Sequence, residues 1–173
     1  MASARINAAV SALFTLLGGP AFALVYIPFW ITRFHLPAGE PWWQQLLAAL
    51  LIVLGVTPGL ESMVRFVRVG RGTLLPVIPT EHLVVSGIYR YVRNPMYLGV
   101  MVALAGEVLL FHSLALAKFA AWLWLGLHLF ICAYEERTLQ RRFGESYMRY
   151  RRNVPRWAPR LTPWREEEAS KTA

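Results

Sequence analysis

The residues in this chain with chemistry to do are carboxylates placed where water is scarce. Glu61 and Glu107 each stand inside a long apolar run, where an ionised group is costly and usually marks a function. The structural alternative is that each pairs with an arginine or stays protonated as a hydrogen-bond donor. Glu135-Glu136 closes another apolar run, at a helix C-terminus whose dipole disfavours negative charge. That pair calls for a cation, either a structural arginine such as Arg93 or Arg137 or a cationic ligand. The densest polar stretch runs from Glu81 to Gly99 and holds a turn at Ser86-Gly87, the tyrosines Tyr89, Tyr91 and Tyr97, and Arg90 and Arg93. Asn94-Pro95 within it is a helix start: Asn accepts from the first free N–H groups and Pro fits the first helical position. The stretch reads as an interfacial loop that delivers polar groups to a helix N-terminus. No phosphate-binding glycine loop, metal-ligand spacing or Ser/His/Asp signature is present. His35 and His112 fall in turns and His128 on an apolar helix, so they are read as structural. The lone Cys132 excludes an internal disulfide and a multi-cysteine metal site, and its apolar surroundings make it a small buried hydrophobe.

The elements that must position these groups follow from composition. Of 173 residues, 56% are hydrophobic and 16% charged, and the mean hydropathy is +0.40. A soluble domain of this size cannot hide so much apolar surface, and a disordered chain would be poor in it. An integral membrane protein remains. A span needs about 20 apolar residues, and four stretches qualify: about 8–30, 42–66, 97–111 and 114–134. The first also reads as a signal peptide with Ala21-Phe22-Ala23 as its cleavage box, but the apolar run continues to Trp30 and Ile31. The third is short because its helix starts at Asn94-Pro95. A turn near His112-Ser113 then makes spans three and four a tight hairpin, whose mouth collects Asn94, Tyr97, Glu135 and Glu136.

Basic residues set the orientation. The net charge is +8, with Arg65, Arg68, Arg71, Arg90 and Arg93 between spans two and three, and nine arginines from Arg137 to Arg165 after span four. The positive-inside rule puts both termini, and with them the mouth, in the cytoplasm, at the inner membrane if the source is bacterial. Leu139, Phe143, Tyr147, Tyr150 and Val154 recur every three or four residues with arginines between, the pattern of an amphipathic helix on the membrane surface. Residues 166–173 read as a frayed, disordered tail. The whole, 1–173, is a single all-α membrane domain of about four transmembrane helices, a cytoplasmic loop and an amphipathic C-terminal helix. Its basic residues flank apolar spans, which argues against nucleic acid as a partner.

Two blocks of residues resemble a known family. Leu83-Val84-x-Ser86-Gly87-x-Tyr89 and Arg93-Asn94-Pro95-x-Tyr97-x-Gly99 form one. Glu135-Glu136-x-x-Leu139-x-x-x-Phe143-Gly144-x-x-Tyr147-x-x-Tyr150-x-x-x-Val154-Pro155 forms the other. Together they are similar to the integral membrane methyltransferases, which include isoprenylcysteine carboxyl methyltransferase and phosphatidylethanolamine N-methyltransferase. The likeness covers about residues 80–155. It implies S-adenosylmethionine as methyl donor, with Leu83, Val84, Tyr89, Asn94, Pro95, Met96, Tyr97 and Glu135 as cofactor contacts. His82 joins them, one residue off the position where the prenylcysteine enzymes have a histidine and this chain has Glu81. Asn94 stands where those enzymes have histidine, and Ile131 where they have a substrate-binding arginine. Asn-Pro-Met-Tyr instead resembles the phospholipid branch.

The residues' own chemistry fits that implication. Glu135 suits the cofactor's ammonium, the helix start after Asn94 its carboxylate, and tyrosine faces its adenine or sulfonium. The expected acceptor is lipidic, a phospholipid amine or an isoprenylcysteine carboxylate, arriving from the bilayer. An amine must first lose a proton, to Glu136 or Glu61; a carboxylate is already a nucleophile, which Arg93 would orient. Arg93 and Glu136 are thus the catalytic candidates, and no metal is required. The alternative class is a small proton-coupled cation exporter that uses Glu61 and Glu107.

Overall fold

The computed structural model describes Leu13, residues 18–70 and residues 82–165, except for the side chains of 66–70. Glu81, most of the first span before Gly18, and the tail from 166 lie outside the described residues. Every regular element described is helical.

Helix α1 covers Gly19–Thr32. Its middle, Phe22–Tyr26, is a wide π-helical turn just ahead of Pro28. Proline lacks an N–H and crowds the carbonyl four residues back, and a widened turn absorbs both faults. Helix α2, Trp42–Gly70, is 29 residues long and carries Pro58 inside it. At 1.5 Å per residue it measures about 43 Å, more than the hydrocarbon thickness of a bilayer. One turn past the proline, the Ser62 hydroxyl donates to the Gly59 carbonyl at 2.7 Å.

Helix α3, Pro95–Phe111, begins where the sequence places its start, with Pro95 in the first turn. The Asn94 side chain does not cap it, contrary to expectation. Its amide donates instead to the Arg156 carbonyl at 3.4 Å, so a distant segment has claimed it. The helix ends at His112, whose backbone is left-handed (φ 49°). Ser113 then caps α4, Leu114–Phe130, by accepting from the Leu116 N–H. A second wide turn, Ile131–Glu135, joins α4 without interruption to α5, Glu136–Asn153. Within α5 the backbone breaks at Gly144 (φ 52°, ψ −126°), in a region of φ that favours glycine.

Two stretches are long and apolar enough to cross a membrane, Trp42–Arg65 and Leu114–Asn153; the apolar part of the latter is α4. Gly19–Thr32 and Pro95–Phe111 are shorter apolar helices. Leu46, Leu50, Val53, Leu54 and Leu60 of α2 and Trp122, Leu125 and Leu129 of α4 are exposed, an apolar surface suited to lipid. Helices α2 and α3 make the closest crossing. A Cβ at Gly55 would collide with the backbone of Gly99 and Ala103, one at Gly99 with Gly55 and Gly59, and one at Gly106 with Ala48. Small residues four apart let helix backbones approach in this way.

The chain after α5 runs back along the loop that precedes α3. Backbone bonds join Arg93 N–H to the Pro155 carbonyl, Arg160 N–H to Tyr91 and Trp164 N–H to Arg90, each at 2.9 Å. The Arg90 Nε returns a bond to the Trp164 carbonyl at 2.7 Å. Trp164 is buried with Tyr147, Tyr150 and Val154, and Leu83, Val85, Leu139 and Phe143 pack around them. This strap, 154–165, clamps the loop to α5.

Candidate functional site

Two adjacent polar clusters lie where α3 begins and α4 ends. The first holds Glu135, Tyr97 and Tyr89. The Tyr97 phenol stands close enough to the Glu135 carboxylate to interact with it. One carboxylate oxygen, Oε2, is buried with no hydrogen-bond partner. Tyr89, on a single 3₁₀ turn spanning Gly87–Arg90, is buried and donates to the Ser62 carbonyl at 3.4 Å. Burial holds its phenol well above the usual tyrosine range, so it stays neutral. Its own carbonyl accepts from the Tyr150 hydroxyl at 2.7 Å.

The second cluster surrounds Glu136. Oε1 accepts from Arg93 Nη1 and Arg156 Nε, both at 2.7 Å, and Oε2 accepts from Arg156 Nη2 at 2.9 Å. Arg151 stands 3.5 Å from Oε2. Arg93 also donates to the Tyr147 hydroxyl at 3.3 Å. Burial by itself would push the Glu136 carboxyl up; the Arg156 bonds and the charges of Arg93, Arg156 and Arg151 outweigh it and hold the group below the usual carboxylate range. A carboxylate gripped this way is a weak base. Its geometry is that of an anchor for the strap and loop, not of the proton acceptor expected from sequence.

The remaining candidates fall around these clusters. Val84, Asn94 and Pro95 are buried, Leu83 and Met96 are half-buried, and His82 is exposed. Leu83 packs on the tyrosine core rather than beside Glu135. Met96 lines an apolar cleft with Pro20, Leu24, Gly59 and Met63. Glu61 is exposed on α2 and ion-paired to Arg65 at 2.6 Å, four residues on. Arg65 in turn reaches the Ser86 hydroxyl at 3.5 Å. Glu107 is buried with an unpartnered Oε2, twelve residues into α3 and so about 18 Å from its start. Among the described residues no group of His, Cys, Asp or Glu is arranged to hold a metal ion.

An open groove of about 540 Å³ lies between α2, α3 and the strap. Leu54, Pro58, Leu98 and Val102 form its apolar wall, and Glu61, Tyr91 and Pro159 its rim.

Sequence reasoning missed the strap's contribution. Arg156 grips Glu136, and the Trp157 indole donates to His128 Nδ1 at 3.1 Å. The signal was present: Pro155, Pro159 and Pro163 recur every fourth residue between tryptophans and arginines, which excludes a helix and favours an extended, pinned segment.

The chain is similar to known proteins. A family model described as phospholipid methyltransferase matches residues 43–146. Protein-S-isoprenylcysteine O-methyltransferase B of Arabidopsis thaliana is 29% identical over 125 residues, which cover 69% of this chain and 61% of that protein. Protein-S-isoprenylcysteine O-methyltransferase of Schizosaccharomyces pombe is 40% identical over 81 residues, 46% of this chain and 34% of that protein. The chain thus spans less than two thirds of the length of these relatives. No solved structure matches it. The family match covers α2, the loop with Tyr89 and Arg93, α3, α4 and the first part of α5, which carry both glutamates, and the chain belongs to the phospholipid methyltransferase family.

Proposed function

We propose that this protein is an S-adenosylmethionine-dependent methyltransferase acting on a membrane-embedded lipidic acceptor, of the phospholipid-amine or isoprenylcysteine-carboxylate type. The observation that carries the reading is the bare Oε2 of Glu135, buried beside Tyr97 at the junction of the two family-matched blocks. A buried carboxylate oxygen without a donor fits an ammonium group. S-adenosylmethionine carries one, and it supplies a methyl group on an already activated sulfonium.

The chain's residues would then work mainly by positioning and by excluding water. Glu135 binds the ammonium, with Tyr97 fixing its orientation. The free N–H groups at the start of α3, after Asn94, face an anion. Neutral Tyr89 and Tyr97 offer ring faces to adenine or sulfonium. Val84, Pro95 and Met96 complete the apolar lining, with Leu83 and His82 at its edge. Arg93 orients an acidic headgroup. Four crossings, formed by α1 with the residues before it, α2, α3 and α4, place both termini and the clusters on the cytoplasmic side. Helix α5 lies along that surface, its arginines toward anionic headgroups. The acceptor's chain enters along the apolar groove between α2 and α3.

The acceptor's type is the open choice within this reading. The relatives' names support a prenylated cysteine and the family model a phospholipid. A carboxylate acceptor needs no base. An amine acceptor does, and Glu61 and Glu136 are both engaged by arginines. Nothing observed supports the cation exporter. Calorimetry on the folded protein in nanodiscs tests the reading: S-adenosylmethionine and its demethylated product both bind. Absence of heat and of thermal stabilisation with either ligand would refute it. Labelled methyl transfer to phosphatidylethanolamine, to a farnesylated cysteine analogue and to soluble amines or thiols then names the acceptor.

A further inference from the structure

Around Glu136 the charges do not balance. The Arg93 and Arg156 side chains are 10% and 22% exposed, whereas Arg151 is 40% exposed and met by solvent. Two covered guanidiniums therefore face one covered carboxylate. The side-chain bonds that Arg93 and Arg156 make go to Glu136 and Tyr147, not to Glu135, the next residue.

The hydrogen bonds point to where that charge is lacking. Arg156 presents its Nε–Nη2 edge, the side that grips an oxyanion with two parallel bonds, to Glu136. Arg93 reaches the same carboxylate through Nη1, which turns its own Nε–Nη2 edge elsewhere. On that edge Nε is buried and has no hydrogen-bond partner. A buried guanidinium donor without an acceptor is costly, and a protein keeps such a group where a ligand completes it. The residues flanking Arg93, namely Tyr91, Val92 and Pro95, line the apolar groove together with Pro159 of the strap.

We propose that the Nε–Nη2 edge of Arg93 is an oxyanion subsite that takes one carboxylate or phosphate-diester group, with Arg156 holding Glu136 so that Arg93 is left free to bind it. This rests on the methyltransferase reading only for the identity of the carrier. Two ligands carry such a group, the acceptor's headgroup and the cofactor's amino-acid part. The groove lined by Arg93's chain neighbours Tyr91, Val92 and Pro95 favours the acceptor.

The test follows thermal unfolding and ligand affinity of the full chain in an uncharged detergent. The probes are N-acetyl-S-farnesylcysteine, its uncharged methyl ester, a short-chain phosphatidylethanolamine, and S-adenosylhomocysteine with its decarboxylated counterpart. The unaltered protein binds the farnesylated acid or the phospholipid more tightly than the ester. Arg93→Lys keeps a cation against Glu136 but lacks the Nε donor. It unfolds like the unaltered protein and loses about tenfold in affinity for the anionic probe, as expected for one charge-assisted bond.

If only the phospholipid responds, the anion is a phosphate; if only the acid, a carboxylate. A loss confined to S-adenosylhomocysteine, absent for its decarboxylated form, keeps the subsite but assigns it to the cofactor. Anion-dependent binding of the acid without any binding of S-adenosylhomocysteine keeps the subsite and refutes the methyltransferase reading. Equal binding of acid, ester and phospholipid, with cofactor binding indifferent to its carboxylate, overturns the proposal. That comparison uses the unaltered protein and holds even if Arg93→Lys fails to fold.

Discussion

Glu135 and Glu136 are neighbours in the chain and opposites in the fold. Glu136 has both oxygens taken by guanidiniums that bring together the loop before α3, the strap and α5. Glu135, one residue earlier and on another side of the helix, has the Tyr97 phenol nearby and one buried oxygen without a hydrogen-bond partner. A fully satisfied buried charge holds structure together, and a half-satisfied one is ready for a ligand. The same side chain serves either end, and the surroundings decide which.

The sharpest way to break this contrast is Glu136→Gln. It strands Arg93 and Arg156 under cover, and removing one partner of a buried ion pair costs about 3–5 kcal/mol. Denaturant unfolding in detergent should show that loss. The same linkage fixes the pH response. Because Glu136 is held below the ordinary carboxylate range, its stabilisation is complete above the unfolded value of about 4.3 and drains away as pH falls through the lowered folded value. Acid unfolding of the Gln variant should lack that component.

Trp164→Ala tests whether the anchor needs the strap. The side chain is 4% exposed, and truncating a buried tryptophan costs about 3 kcal/mol or more. Limited proteolysis should then cut within 154–165 before it cuts α3 or α4. Glu135→Gln should leave stability nearly unchanged and weaken S-adenosylmethionine binding by about 1.5–3 kcal/mol, roughly ten- to a hundredfold. Calorimetry reads this directly, and a stability loss equal to that of Glu136→Gln would erase the distinction between the two. The smallest effect belongs to Glu61→Gln. Its pair with Arg65 is partly exposed on both sides, so solvent and salt hold its worth to about 1 kcal/mol or less. Cofactor affinity in this variant should match the unaltered protein.

Local features could be read from sequence, and long-range ones could not. The start of α3 at Pro95 and the turn at His112-Ser113 each depend on a few consecutive residues, and the structure has both; the helix end expected at Glu135-Glu136 is absent, because the chain runs on as a helix into α5. The pairing of Glu61 with Arg65 follows from their i,i+4 spacing. Sequence reasoning missed Gly55-x-x-x-Gly59, a small-residue spacing that marks the α2–α3 crossing. Which glutamate of the pair meets the arginines was hidden, because Arg156 arrives from a segment twenty residues further on. Asn94 shows the same limit. Its type and position fit a cap, and the Arg156 carbonyl, sixty-two residues away in sequence, took its amide instead.

The wide turn at Ile131–Glu135 adds a bulge without breaking the helix. From Leu114 to Phe143 the chain is therefore one stiff shaft about 45 Å long, and Gly144 is the first joint at which it can change direction. A shaft is a lever. In a thinner or thicker bilayer a spanning helix adjusts its tilt, and on the proposed topology the same rod carries Glu135 and Glu136 beyond the bilayer. Their distance to the start of α3 would then follow membrane thickness, and the proposed methyl transfer would be paced in part by the lipids around it.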